Sequence, residues 1–177
     1  MKAGITSTGR RVVFILALTA AGALLSSPAS ADSATNIVNM NSGKCLEVAD
    51  WSKANGAAVR QWTCGDFQAN QMWYEVKGAD GSYQIVNQNS GKCLEIADWS
   101  QADGAVARQW TCTGGANQKW FSAWANNGKL FMNANSYKYL EIADWSRANG
   151  AGARQWTGGW PSSQEVQKNQ AWGQVGP

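Results

Sequence analysis

NSGKCLEVADWSKANGAAVRQWT at residues 41–63 returns as NSGKCLEIADWSQADGAVARQWT at 89–111 and as NSYKYLEIADWSRANGAGARQWT at 135–157, at spacings of 48 and 46 residues. Each copy is followed by a Gln-x-Trp landmark: Gln71-Met72-Trp73, Gln118-Lys119-Trp120 and Gln170-Ala171-Trp172. A repeat of this length cannot cover its own apolar face, so the three copies are expected to fold together. Inside a copy the pattern alternates. In CLEVADW, Leu46 and Val48 point one way and Cys45, Glu47, Ala49 and Trp51 the other, which is the period of a strand. Asn55-Gly56, Asp103-Gly104 and Asn149-Gly150 then supply turn dipeptides, so each repeat is read as containing a hairpin. Short apolar runs such as Tyr83 to Val86 and Leu130 to Met132 are separated by Gly and Asn clusters, and no amphipathic helix is evident. The chain is therefore all-β and closed, because three copies of short strands would otherwise leave edges unpaired. Its repeats span about 37–84, 85–130 and 131–177.

The 177 residues include 15 basic and 12 acidic side chains, four cysteines, 11 tryptophans and no histidine. The absence of histidine removes the usual general base of serine and cysteine hydrolases and the commonest ligand of catalytic zinc. Lys2, Arg10 and Arg11, the apolar run from Val12 to Leu25 and the small residues Ala29-Ser30-Ala31 mark residues 1–31 as an export signal. That run is shorter than the roughly 20 residues needed to cross a bilayer, so no membrane insertion is expected. The signal holds three basic residues and no acidic ones, so residues 32–177 carry 12 of each sign and are formally neutral. Nucleic acid and anionic membrane lose support as partners. Cys45 and Cys64 lie 19 positions apart, as do Cys93 and Cys112, while Tyr139 and Gly158 stand at the equivalent places in the third copy. In an exported chain these pairs read as two disulfides within repeats. They lack the paired knuckles of a zinc site, and neither metal nor cofactor is expected.

Gly-Lys-Cys-Leu-Glu with a cysteine 19 residues on in two copies, Tyr-Lys-Tyr-Leu-Glu in the third, and a closing Gln-x-Trp in all three resemble ricin B-type lectin domains, also described as family 13 carbohydrate-binding modules. The resemblance covers the whole chain after the signal. It implies a β-trefoil of about 12 strands with pseudo-threefold symmetry, and a carbohydrate partner, with galactose the family's commonest ligand. It further implies a shallow sugar pocket in each lobe. Carried over by position, the first lobe offers Glu47, Arg60, Trp62 and Asn70. The second offers Glu95, Arg108, Trp110 and Asn117, and the third Glu141, Arg154, Trp156 and Asn169. Two departures stand out. The family's acid is typically aspartate and the arginine position is often glutamine, so an altered sugar preference is expected. Glutamate opposite arginine can pre-orient the carboxylate by an ion pair.

A sugar needs an aromatic platform for its apolar face and polar groups for its hydroxyls. Trp62, Trp110 and Trp156 are assigned the platform role, since tryptophan is costly to expose without purpose. The resemblance implies that Trp73, Trp120 and Trp172, the Gln-x-Trp tryptophans, pack in the core. Trp51, Trp99 and Trp145 recur in every copy outside the family pattern and invite a second binding surface. Asp50, Asp98 and Asp144 beside them either accept sugar hydroxyls or bond their own backbone. Gln61, Gln109 and Gln155 point inward and are read as a buried polar ring. The third repeat carries the insertion GGWPSSQEVQK at 158–168. A secreted, non-catalytic lectin with up to three sites is the reading these features favour. A secreted β-trefoil protease inhibitor acting through the 158–168 loop is the alternative. Glycosidase chemistry by Glu47 and Asp50 is disfavoured, because the same pair recurs in every lobe without a deep cleft.

Overall fold

Each repeat delivers four strands, and the twelve follow one another with the same rhythm. They are β1 Thr35–Asn39, β2 Cys45–Val48, β3 Val59–Trp62, β4 Met72–Lys77, β5 Tyr83–Asn87, β6 Cys93–Ile96, β7 Ala107–Trp110, β8 Trp120–Ala125, β9 Gly128–Asn133, β10 Tyr139–Ile142, β11 Ala153–Trp156 and β12 Trp172–Val175. The computed structural model describes Met1 and residues 33–125, 128–158 and 167–176. The expected export signal after Met1 and most of the 158–168 insertion, with Trp160, lie outside them. Among the described residues the only helical pieces are three-residue 3-10 turns, and no helix is long and apolar enough to cross a membrane.

β1, β4, β5, β8, β9 and β12 pair in a closed antiparallel circuit, a six-stranded barrel. The other six form the hairpins β2–β3, β6–β7 and β10–β11. Bridges Ala58 to Arg108, Val106 to Arg154 and Arg60 to Gly152 link the hairpins in a triangle over one end of the barrel. This is the β-trefoil that the tripled motif implied.

The core repeats by threes as the strands do. Ile37, Ile85 and Phe131, then Leu46, Leu94 and Leu140, then Val48, Ile96 and Ile142 are buried together with Trp73, Trp120 and Trp172. The three tryptophan Nε1 groups donate to the carbonyls of Leu46, Leu94 and Leu140 at 2.9, 3.1 and 3.1 Å, which satisfies the one polar atom of each indole. The disulfides join Cys45 to Cys64 and Cys93 to Cys112. In the third lobe the Tyr139 ring fills the corresponding space. A Cβ on Gly158 would fall 2.0 Å from Tyr139 Cδ2, so the glycine is a steric requirement of the tyrosine.

Gln61, Gln109 and Gln155 are fully buried, but each bonds to a neighbouring lobe and not to the others. Gln109 Nε2 donates to Ser52 O and Ala54 O at 2.8 and 2.9 Å while its Oε1 accepts from Ser90 Oγ at 2.6 Å. Gln155 binds Ser100 and Ala102, and Gln61 binds Ser146 and Ala148, in the same way. Second-lobe side chains thus hold the first lobe, third-lobe ones the second, and first-lobe ones the third.

The barrel end away from the hairpins breaks the symmetry. Lys129 Nζ pairs with Glu75 Oε2 and reaches Gln174 Oε1 at 3.3 Å, and Gln174 Nε2 donates to Glu75 Oε1. The ammonium also lies 5.6 and 5.3 Å from the ring centroids of Tyr83 and Phe131.

Strand alternation fails at one place. Ala49–Trp51 does not continue β2 but forms a 3-10 turn, with Asp50 at φ 55° and ψ 29° and Trp51 at φ 56°. Cys45 and Glu47, on the face away from the core, are buried all the same, because the disulfide and the Ala69–Gln71 turn cover them.

Candidate functional site

The hairpin register places Glu47 directly opposite Arg60, Glu95 opposite Arg108 and Glu141 opposite Arg154. Arg60 Nε meets Glu47 Oε1 at 2.9 Å and Nη2 meets Asp50 Oδ1 at 3.0 Å, so one guanidinium bridges a buried and an exposed carboxylate. The second lobe repeats this at 2.8 and 3.1 Å and the third at 2.9 and 3.1 Å. Partial burial pulls the Arg60 and Arg108 guanidinium pKa values down, but the bonds and charge of the glutamate, and then of the aspartate, outweigh it and the net direction is upward. Both side chains are firmly cationic.

The remaining carboxylate oxygen is also engaged. Glu47 Oε2 accepts from Asn70 Nδ2 at 3.3 Å and from Gln71 Nε2 at 3.0 Å. Glu95 and Glu141 receive the same pair of donors, from Asn117 with Gln118 and from Asn169 with Gln170. The sequence marked Gln71, Gln118 and Gln170 only as landmarks, yet each orients the acid of its lobe. Their recurrence three positions into the Ala69–Gln71 type of turn was the available signal. The asparagine amides also donate to the carbonyls of Val48, Ile96 and Ile142. Their Oδ1 atoms are buried without a partner in all three lobes. A buried acceptor left so costs about 1–3 kcal/mol until something donates to it.

Two aromatic classes flank this polar centre. The guanidinium carbon of Arg60 lies 4.6 Å from the Trp62 ring centroid, with 4.6 and 4.5 Å for the Arg108–Trp110 and Arg154–Trp156 pairs. The edges of these rings approach turn glycines of another lobe, Gly150 for Trp62, Gly56 for Trp110 and Gly104 for Trp156. The second class, Trp51, Trp99 and Trp145, is about half exposed. Each of these tryptophans and the aspartate before it sits in the left-handed region, at φ between 54° and 56°. For non-glycine residues that conformation costs on the order of 1–3 kcal/mol apiece and persists only where surrounding bonds impose it. Here those bonds are the Asp–Arg pair and an asparagine of the following lobe: Asn89 Nδ2 donates to Trp51 O at 3.1 Å, Asn135 to Trp99 O at 3.0 Å and Asn41 to Trp145 O at 2.9 Å.

All the expected pocket residues thus converge in each lobe, and Asp50, Asp98 and Asp144 join them by contact with arginine. Among the described residues no group of three or more potential ligands is arranged to hold a metal ion. Of the 158–168 loop, only Gly158, Gln167 and Lys168 are described.

The sequence model of the family described as "Ricin-type beta-trefoil lectin domain-like" matches residues 24–106 and 69–156. None of the curated proteins compared matches the chain in sequence. Among solved structures, the designed 3-fold symmetric protein ThreeFoil is 32% identical at a TM-score of 0.74, over 81% of this chain and 99% of that one. An exo-beta-1,3-galactanase from Clostridium thermocellum is 33% identical at 0.75, over 82% of this chain but only 30% of the enzyme. The C-half of an earthworm R-type lectin, solved with GalNAc, shares the fold at 0.62 with 15% identity, over 82% of this chain and 99% of that one.

Proposed function

Because the chain belongs to the ricin-type β-trefoil lectin family, we propose that it is a secreted, non-catalytic carbohydrate-binding protein with one sugar site in each of its three lobes. The observation that carries this reading is the threefold recurrence of one built constellation. In each lobe a buried glutamate is held by an arginine and two amides, beside an asparagine acceptor with no partner and two tryptophans. Apolar ring faces with fixed donors and acceptors are what a pyranose requires. The sites are Glu47, Arg60, Trp62 and Asn70; Glu95, Arg108, Trp110 and Asn117; and Glu141, Arg154, Trp156 and Asn169, each with its neighbouring Asp-Trp pair. Export is supported by the leader pattern of residues 1–31 and by the two disulfides.

Galactose-type sugars are the first to test, since the earthworm lectin of the same fold was solved with GalNAc. Screening residues 32–177 on a glycan array, followed by calorimetric titration of the best ligand, tests the proposal. Saturable binding with up to three equivalents per chain is expected. Failure to bind any glycan overturns it.

A further inference from the structure

Resting on the lectin reading, we infer that the sugar-stacking platform of each lobe is the exposed, left-handed tryptophan, Trp51, Trp99 or Trp145, and that Trp62, Trp110 and Trp156 serve instead to seat the arginine. One face of the Trp62-type ring already carries a guanidinium at about 4.6 Å, and its edge abuts another lobe. A pyranose laid on that face would have to displace an arginine tied to two carboxylates. Trp51 and its counterparts carry no such tenant. They are held in a costly backbone conformation by contacts whose effect is to present the indole at the rim of the polar centre.

The second lobe fixes the distance. A Cβ built on Gly115 would lie 2.8 Å from Trp99 Cζ2 and also 2.8 Å from Asn117 Oδ1, so the indole edge and the orphaned acceptor flank the same glycine. A sugar stacked on Trp99 therefore has a hydroxyl within reach of an acceptor in need of a donor. That oxygen is covered from water, and the hydroxyl reaches it when the indole turns, a fast rotamer step for an exposed side chain. The charges define the ligand further. Each centre sets two carboxylates against one guanidinium, a net negative charge that repels anionic sugars. The ligand class is a neutral pyranose with one free hydroxyl beside an apolar ring face.

The test is titration of a neutral glycan that the wild-type chain binds. The triple variant Trp51→Ala, Trp99→Ala, Trp145→Ala is expected to lose at least tenfold in affinity with its thermal midpoint held, while the matching triple Phe variant retains most binding. Addition of a sialic or uronic acid to the same glycan is expected to weaken binding at least tenfold. Wild-type binding that survives the triple Ala change within twofold overturns the platform assignment and leaves the lectin reading standing. Equal affinity for the acidic glycan overturns the ligand class. Absence of wild-type binding to any glycan removes both readings.

Discussion

Gln109 shows what a single residue does here. It is fully buried, and its amide is shared among Ser52, Ala54 and Ser90. Gln109→Ala should cost about 1–3 kcal/mol in urea unfolding, because two carbonyls and a hydroxyl at a part-buried seam between lobes lose their partner. A cost below about 0.5 kcal/mol would show that water replaces the amide. Sequence alternation pointed this glutamine inward correctly, since a period of two says which face a side chain takes. It could not say which lobe the amide would reach, because Ser52 and Ala54 are more than fifty positions away. Asp50 and Trp51 were the opposite case. Nothing in Ala-Asp-Trp-Ser announces two consecutive left-handed residues, which glycine ordinarily supplies. The conformation is imposed by Arg60 and Asn89 from other strands and another lobe, and local propensity carries no record of it.

At the scale of the hairpin, the three units differ in their fastenings. Replacing Cys93 and Cys112 by alanine should remove about 3 kcal/mol of stability on loop-closure grounds. In the third hairpin Gly158→Ala alone should destabilise, as its Cβ would run into the Tyr139 ring. Tyr139→Cys together with Gly158→Cys should form a third cross-link and raise the thermal midpoint, an increase abolished by reductant. Absence of the cross-link under oxidising conditions would count against equivalence of the three hairpins. The turns also differ. Asn55 and Asn149 accept from Thr111 and Thr63, whereas the second lobe uses Asp103, which accepts from Thr157 and pairs with Lys138 at 2.9 Å. The Lys138 bond, chiefly, holds the Asp103 carboxyl below its ordinary value near 3.8. Bonds from Lys119 and then Ser82 hold Asp80 further below. A depressed folded value means stability fully present above about pH 4 and lost as pH falls below it. The double variant Asp80→Asn, Asp103→Asn should therefore show a flatter fall in the urea midpoint between about pH 4 and pH 2.5 than the wild type. An unchanged slope would mean these exposed pairs are screened to nothing.

For the molecule as a whole, the three sites proposed above would combine weak single contacts into strong attachment to a dense glycan surface. Disabling the acid–arginine pair in two lobes should leave the monovalent affinity of the third site nearly unchanged. Retention on a glycan-coated surface should fall at least a hundredfold, and an equal fall in solution and on the surface would indicate that the lobes do not act independently. The threefold plan was legible in the sequence because the motif is copied nearly whole and each copy carries its own core residues. The Glu75–Lys129–Gln174 cluster was not, since each lobe contributes one member and no motif repeats it.

That cluster bears on assembly. Three nearly interchangeable units could close a barrel with lobes borrowed from other chains during folding, and most core contacts would be satisfied equally well. A ring of three second lobes, for instance, would keep its leucines and tryptophans but hold Lys129 three times with no Glu75. Any mixture that took the second lobe without the first would enclose the Lys129 ammonium with no counter-ion, at a cost of several kcal/mol. The unsymmetrical end of the barrel thus acts as a proofreading key, favouring the one combination in which each lobe is present once.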